Sequence, residues 1–214
     1  MENKVSNGKS VWHQPHIYSY NNIGHVYFEL EDLNKALEFF DKSLTICLKV
    51  YGNKHPDTAG SYNNIGSVHF KLSDLKKALE FHEKSLEIYL AVYGENHPEV
   101  ATLYKNLGQV YFELGSSEKA LETLKKSIKI NLTLNRGNHP DIATSYEVLG
   151  QIHFKLGNLQ KALEFYNKSL EIKLVLYGEN HSLVALYQNI GQVYFELKDL
   201  EQTLNFLKKS LEKG

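Results

Sequence analysis

Four histidines recur at a regular spacing and are the first candidates for metal chemistry. They lie 42 residues apart, at His55, His97, His139 and His181. Equivalent positions of packed helices lie about 10 Å apart, whereas every ligand of one zinc ion lies about 2 Å from the metal. The four cannot share a zinc ion without other ligands, so we predict no metal site. Three of them precede a proline, and we expect these to hydrogen-bond the backbone of the turn before Pro56, Pro98 and Pro140.

The remaining residue types do not form a recognisable catalytic set. Cys47 is the only cysteine, which excludes an internal disulfide and a cysteine-rich zinc site and favours a reducing compartment. The sequence contains no glycine-rich phosphate loop, no HExxH and no GxSxG. We therefore predict that the protein is not an enzyme, has no catalytic residues and needs no cofactor.

A column of amide side chains is better suited to binding than to catalysis. Pairs of residues that precede an apolar-glycine step are Asn21-Asn22, Asn63-Asn64, Lys105-Asn106, Glu147-Val148 and Gln188-Asn189. Further polar side chains follow about one turn later, at Ser67, Gln109, Gln151 and Gln192, and Lys71 follows one turn after Ser67. A primary amide carries two donors and one acceptor, so such a column can hold the backbone of an extended peptide. The alternative is that the asparagines bond only within their own helix or to the neighbouring repeat.

The elements that carry this column are copies of one unit. Each copy contains a similar short motif that ends in glycine. These glycines are 42, 42, 42 and 41 residues apart, at Gly24, Gly66, Gly108, Gly150 and Gly191. Self-similarity at a fixed period predicts a solenoid, in which each unit buries its apolar face on its neighbours. We expect glycine, alanine and serine to lie where helices approach closely.

Each copy has the pattern of a helical hairpin. In the third copy a helix is predicted from Pro98, with Tyr104, Leu107 and Gly108 on the core face and Phe112 on the opposite face. N-cap residues for a second helix follow at Asp32, Asp74, Ser116, Asn158 and Asp199. Three second helices are predicted to end at a glycine, which can take the left-handed C-terminal conformation, namely Gly52, Gly94 and Gly178.

Charge and hydropathy narrow the class of partner and the location. The net charge is -1, and Arg136 is the only arginine among 24 basic residues, which argues against a nucleic-acid partner. No stretch approaches 18 consecutive apolar residues, and residues 1–10 lack the apolar core of a signal peptide. We predict a cytoplasmic protein with no membrane partner. Glu29, Lys71, Glu113, Lys155 and Glu196 alternate in sign and predict ion pairs between repeats.

The residues of the third copy carry a family resemblance. Tyr104-x2-Leu107-Gly108-x2-Tyr111 followed by Ala120-x3-Leu124 resembles the tetratricopeptide repeat (TPR). The period of 42 resembles the repeats of kinesin light chains and of bacterial arrays. The resemblance implies an all-α, right-handed superhelical solenoid of five helix-turn-helix repeats. The family's backbone-clamping asparagine would correspond to Asn22, Asn64, Asn106 and Asn189.

These observations predict one array with one principal function. We expect residues 1–12 to be a poorly ordered tail and residues 13–214 to form the array, with repeats near 13–54, 55–96, 97–138, 139–180 and 181–214. The predicted function is a protein-interaction scaffold whose first helices form a concave groove for an extended peptide of a partner. The alternative is a structural array that associates end to end, because Leu204, Leu207 and Leu211 should leave the last helix partly uncovered.

Overall fold

The computed structural model describes residues 8–134 and 136–213, and side chains between residues 16 and 212 except that of residue 135. Within these residues it contains ten α-helices, one 3-10 helix and no strand. The chain divides into two compact units, Met1–Glu95 and Asn96–Gly214, which are described separately. The first helix already begins at Gly8, ahead of the expected start of the array at residue 13. The rest of the expected tail, residues 1–7, lies outside the described residues.

The first unit consists of two helical hairpins. Its helices are α1 (Gly8–Glu29), α2 (Leu33–Val50), α3 (Pro56–Lys71) and α4 (Leu75–Tyr93). The side-chain caps predicted in this unit are confirmed, since Asp32 accepts the backbone N–H of Lys35 and Asp74 accepts that of Lys77, whereas Ser116 and Asn158 of the second unit make no side-chain cap bond. The residues just before these caps, Glu31 and Ser73, adopt φ of 59° and 60°, so the turn inside each hairpin requires a left-handed residue. Gly157 adopts this conformation at the equivalent place of the fourth repeat, with φ of 73°.

The second unit consists of three hairpins. Its helices are α5 (Pro98–Glu113), α6 (Ser117–Thr133), α7 (Pro140–Lys155), α8 (Leu159–Tyr177), α9 (Val184–Glu196) and α10 (Leu200–Lys213), with a 3-10 helix at His181–Leu183. The short helix replaces the usual entry to a first helix, because Ser182 stands where earlier repeats have proline. There Asn180 caps by accepting the N–H of Ser182 at 2.9 Å. The all-α prediction of five helix-turn-helix repeats is confirmed in the described residues.

The recurring histidines are helix caps. The Nδ1 atoms of His55, His97 and His139 accept the backbone N–H two residues later at 3.2, 3.3 and 3.2 Å. Each of these histidines has an extended backbone, and the following proline occupies the first turn of α3, α5 or α7. The predicted turn role is therefore confirmed for these three residues. A cap of this kind requires a neutral imidazole, since a protonated Nδ1 cannot accept a hydrogen bond.

Each hairpin closes on one glycine of the first helix and one large side chain of the second. The two stand 16 residues apart in every repeat, as Gly24 and Phe40, Gly66 and His82, Gly108 and Leu124, Gly150 and Tyr166, and Gly191 and Leu207. A Cβ atom at Gly150 would lie 2.5 Å from Cε1 of Tyr166, well inside van der Waals contact. The glycine therefore makes room for a side chain, which sequence reasoning about small residues alone did not identify.

Small residues of the second helix complete each joint. Ala36, Ala78, Ala120 and Ala162 are fully buried, and so are the serines Ser43, Ser85, Ser127 and Ser169. Two of these serines also join the helices of their hairpin, because Ser43 donates to the Ile17 carbonyl and Ser85 donates to the Ala59 carbonyl. A buried hydroxyl needs such a partner. The predicted placement of small residues at helix contacts is confirmed.

Phe112 lies on the face of α5 opposite the predicted core face, and it packs between first helices. This ring is 7% exposed and packs with Val148, Leu149 and Ile152 of α7. The physical reason is that α5 packs on its hairpin partner α6 and also on α7, the first helix of the next repeat. Two stripes of one helix are therefore buried, and a single helical period describes only one of them.

We expect Gly108→Ala to destabilise the protein by about 1–3 kcal/mol, because the added Cβ would lie 2.6 Å from Cγ of Leu124. Urea unfolding followed by circular dichroism measures this change. Gly137→Ala is the control, since no atom lies within 4 Å of a Cβ at that position. Combining Gly108→Ala with Leu124→Ala should cost less than the sum of the two single changes. Equal midpoints for Gly108→Ala and the wild type would contradict the contact.

We also expect the protein to lose stability as pH falls through about 6.5, the ordinary pKa of histidine. His69 and His153 stack on Phe81 and Phe165, and burial lowers the pKa of both imidazoles. The surrounding charges are Lys77, Asp74, Asp41 and Glu80 for His69, and Lys161, Lys125 and Glu164 for His153. Because the unfolded chain takes up these protons more readily, acid favours unfolding.

Tyrosine occupies the equivalent position in the other repeats, at Tyr27, Tyr111 and Tyr194, and supplies the test. Urea unfolding at several pH values between about 5 and 7.5 should show a shallower loss of stability in His69→Tyr with His153→Tyr than in the wild type. The tyrosine variant should keep a residual slope, because the pKa of the capping His139 is also lowered by burial and by Arg136. Identical pH dependence in both proteins would rule out this role for the two histidines.

Candidate peptide-binding groove

In the first unit the predicted groove residues lie on α1 and α3, and they are Asn21, Asn22, Asn63, Asn64, Ser67 and Lys71. Asn22 is exposed, whereas Asn63 and Asn64 are half-buried. Ser67 donates its hydroxyl to the carbonyl of Asn63 at 3.0 Å, so this side chain is satisfied within its own helix. Lys71 extends over the ring of Phe28, with Nζ 4.9 Å from the ring centroid and 3.8 Å from Glu31.

In the second unit two predicted charged contacts are engaged with neighbouring helices. Lys105 of α5 lies 2.7 Å from the Asp141 carboxylate of α7, which also accepts the hydroxyl of Thr102 at 2.7 Å. Glu147 of α7 lies 2.5 Å from Lys173 of α8 and accepts the hydroxyl of Ser169 at 2.9 Å. These side chains are 12–22% exposed. Lys105 and Glu147 therefore hold helices together, and a bound peptide would have to displace these partners.

The Lys105–Asp141 pair has the electrostatics of a buried structural contact. Burial acts to raise the pKa of the Asp141 carboxyl, but the charge of Lys105 and the hydrogen bonds from Lys105 and Thr102 outweigh it. The pKa of Asp141 is consequently below its ordinary value. Its contribution to stability is present at neutral pH and is lost only as pH falls through that lowered pKa.

Three of the predicted amides come together around one pocket of the second unit. Gln151 of α7 and Asn189 and Gln192 of α9 line a cavity of 270 Å³. The other lining residues are Phe112, Glu113, Phe154, Lys155 and Tyr166. The pocket therefore has aromatic walls, amide groups that can donate and accept, and one side chain of each charge. Among the described residues, none hydrogen-bonds the side-chain amides of Gln151, Asn189 or Gln192, which leaves them available to a ligand.

The remaining predicted residues of this unit lie beside the pocket and do not line it. Asn106 and Gln109 are half-buried on α5, and Gln188 is exposed on α9. The position of the missing asparagine is taken by Val148, which is 6% exposed and belongs to the core cluster of α7. The column of asparagines is therefore interrupted in the fourth repeat, where a buried valine packs in the core instead.

Sequence reasoning missed Tyr166 as a pocket residue. Tyr166 is 2% exposed and lies on Gly150, and burial, with the nearby charge of Glu147, raises the pKa of its phenol. The group is therefore neutral and keeps its proton. The signal that could have identified it is its place 16 residues after a repeat glycine.

The alternating charges form contacts other than the predicted ion pairs. Lys155 lies over the ring of Phe112, with Nζ 4.1 Å from the centroid, as Lys71 lies over Phe28. In the described residues Lys71 pairs with Glu31 rather than with Glu29. The physical reason is that each lysine stem packs along the neighbouring first helix, which carries its ammonium group over a phenylalanine ring.

Within the described part of the chain, no three His, Cys, Asp or Glu side chains come together as ligands of a metal ion would. Cys47 is buried, and burial raises the pKa of its thiol. None of the described helices has the length and apolarity needed to cross a membrane.

Comparison with known families identifies the repeat. The family model of the Tetratricopeptide repeat matches residues 17–91, 57–133 and 141–213. No curated protein sequence matches the chain.

Solved structures with the same fold come from several sources. BtubC (BKLC) from P. vanneervenii is 19% identical with a TM-score of 0.77, over 92% of this chain and 78% of that one. The nearly identical TPR-like repeats of a kinesin-light-chain-like protein from Podosopora anserina are 19% identical with a TM-score of 0.71, over 92% and 93%. The Rap conjugation gene regulator of plasmid pLS20, solved with the Phr* peptide, is 15% identical with a TM-score of 0.75, over 99% and 58%. These likenesses confirm the predicted fold class.

We expect Lys105→Met to destabilise the protein by about 3 kcal/mol, because it leaves the buried Asp141 carboxylate without its counter-charge. Lys105→Met with Asp141→Leu should cost much less than the sum of the single changes. Lys126→Met is the control, since it removes an exposed pair with Glu122 and a contact of the ammonium with the Tyr104 ring, and it should cost under about 1 kcal/mol. Unfolding free energies from a double-mutant cycle measure the coupling, and its absence would contradict a structural role for Lys105.

Proposed function

The chain belongs to the tetratricopeptide repeat family, whose members generally mediate protein–protein interaction, and from this premise we propose that it is a non-enzymatic scaffold that binds a peptide. The ligand is an extended segment of a partner protein, held on the first helices of the second unit. The observation that carries the proposal is the pocket with three available amides, Gln151, Asn189 and Gln192. The likeness to a regulator solved with a peptide lends support.

The chemistry of the pocket suits a peptide backbone. Each amide can donate to a carbonyl and accept an N–H, so the three together can hold an extended backbone without reading its side chains. Phe112 and Phe154 provide an apolar contact for one peptide side chain between those hydrogen bonds. A cavity of 270 Å³ has room for a single large side chain with part of the backbone.

The charges of the pocket favour a weakly charged ligand. Glu113 and Lys155 contribute one charge of each sign, and the lysine is already drawn over the ring of Phe112. A pocket for a carboxylate-rich peptide would instead present several lysines or arginines. We assign the protein to the cytoplasm, where the buried thiol of Cys47 would remain reduced.

The test uses a phage-displayed library of unstructured peptides selected on the full chain. Gln151→Ala with Asn189→Ala should weaken the selected peptides by about 10- to 30-fold, since each lost amide removes hydrogen bonds worth about 1 kcal/mol. Fluorescence anisotropy with the selected peptides measures the affinity. The thermal midpoint of the variant should match that of the wild type, because Gln151 and Asn189 contribute no hydrogen bond to the described fold.

The matched control is Gln188→Ala, which removes an exposed amide next to Asn189 but outside the pocket. Its affinity should equal that of the wild type. Equal weakening by the control and the pocket variant, or no weakening by either, would exclude the pocket as the binding site.

A second candidate function is self-association through α10. Its apolar side is open, since Leu204, Leu207 and Leu211 are 59%, 39% and 82% exposed. Light scattering over a concentration series, in the wild type and in Leu211→Glu, distinguishes this function from peptide binding. A monomer at every concentration would exclude it.

A further inference from the structure

A second groove in the same unit carries charges of one sign. It has a volume of 410 Å³, lies among α6, α7 and α8, and shares no lining residue with the amide pocket. Its apolar residues are Ile128, Leu132, Tyr146, Leu149 and Phe165. The remaining lining residues are Lys125, Lys129, Thr133 and Lys168. None of these lining residues is acidic, and Leu132 is 52% exposed.

Two of the lysines are available to a ligand. Lys168 is bonded to Glu164 at 2.5 Å, whereas neither Lys125 nor Lys129 pairs with a carboxylate within the described residues. The field of Lys125 already acts on its surroundings, because it helps to lower the pKa of His153. The groove therefore combines the exposed Leu132 and two half-buried aromatic rings, Tyr146 and Phe165, with uncompensated positive charge.

The other repeats show that the fold does not require these lysines. The residues equivalent to Lys125 and Lys129 are Asp41 and Thr45, Glu83 and Glu87, Asn167 and Glu171, and Lys208 and Glu212. The pair of lysines is thus specific to the third repeat. The apolar residues of this groove, in contrast, have apolar equivalents between the first and second repeats at Leu44, Leu48, Tyr62, Ile65 and Phe81. The apolar lining of the groove recurs in another repeat, whereas the pair of lysines does not. We take this difference to indicate that Lys125 and Lys129 serve a ligand.

We propose that this groove binds an acidic amphipathic helix of a partner protein. Lys125 and Lys129 stand one turn apart on α6, so their ammonium groups match carboxylates spaced by three or four residues on a helix lying alongside. Leu132 and the half-buried rings of Tyr146 and Phe165 then receive the apolar residues of that helix beside the Lys168 ammonium, which lies over both rings. The site is separate from the amide pocket, so both ligands can bind together.

The probe is a phage-displayed library of amphipathic helices. Leucine or phenylalanine occupies the i, i+3, i+4 and i+7 anchor positions, and the flanking positions carry an equal mixture of Glu and Lys. Selection on the full chain should enrich Glu over Lys by about tenfold, since two exposed ion pairs contribute up to about 1 kcal/mol each. Sequencing of the bound phage measures the ratio.

Two variants and one control make the test specific. Lys125→Asp with Lys129→Thr installs the residues of the first repeat and should abolish the preference for Glu. Leu132→Glu should abolish binding, and both proteins should unfold like the wild type because these side chains are exposed. Lys76→Thr with Lys208→Asp makes the same change of net charge at exposed sites outside the groove and should leave the preference for Glu intact.

Several outcomes would overturn the proposal. Equal selection of Glu and Lys by the wild type is one, and undiminished selection of Glu by the Lys125→Asp, Lys129→Thr variant is another. Competition between the selected helices and peptides of the amide pocket would also overturn it, because the two sites are separate. If sedimentation shows that the wild type self-associates and the lysine variant does not, the occupant is a second copy of the chain and the proposal fails.

Discussion

The fold of each hairpin depends on the contact between a repeat glycine and a large side chain 16 residues later. Without a Cβ on Gly108 or Gly150, the second helix can bring Leu124 or Tyr166 directly against the backbone of the first. The side chains are 0% to 2% exposed at four of the five positions, and the burial of an apolar side chain such as Phe40 or Leu124 contributes about 1.5–3 kcal/mol. The glycines therefore recur with the same spacing as the contacts between the two helices of each hairpin, and the turns and caps recur with that spacing too.

This contact also explains how the array can vary without losing its fold. Only the glycine must be constant, because any side chain of suitable size can lie on it: the partners are Phe40, His82, Leu124, Tyr166 and Leu207. In the fourth repeat that freedom places a tyrosine at the floor of the amide pocket. Tyr166 thus packs on Gly150 and also lines a candidate binding pocket.

Local features could be predicted from the sequence, whereas contacts between helices could not. The caps at Asp32, Asp74 and the histidines, and the Glu–Lys pairs one turn apart such as Glu38 and Lys42, involve residues within four positions of each other. Lys105 and Asp141 are 36 residues apart, and their pairing depends on how α7 packs on α5. The same packing buries Phe112. A helical period describes one face of one helix and carries no information about the second neighbour.

The candidate site was only partly predictable for the same reason. The residue types of the groove were recognisable because amides recur at one position, and Gln151, Asn189 and Gln192 do meet around one pocket. The pattern could not distinguish amides that remain open from charged side chains that neighbouring helices engage, as Lys173 engages Glu147. A residue that differs from its equivalents in other repeats can therefore bond a neighbouring helix or can remain open to a ligand. Only the surrounding structure distinguishes the two cases. Glu147 departs because it bonds α8, whereas Lys125 and Lys129 depart with no partner in the described fold, and it is the second kind that points to a ligand.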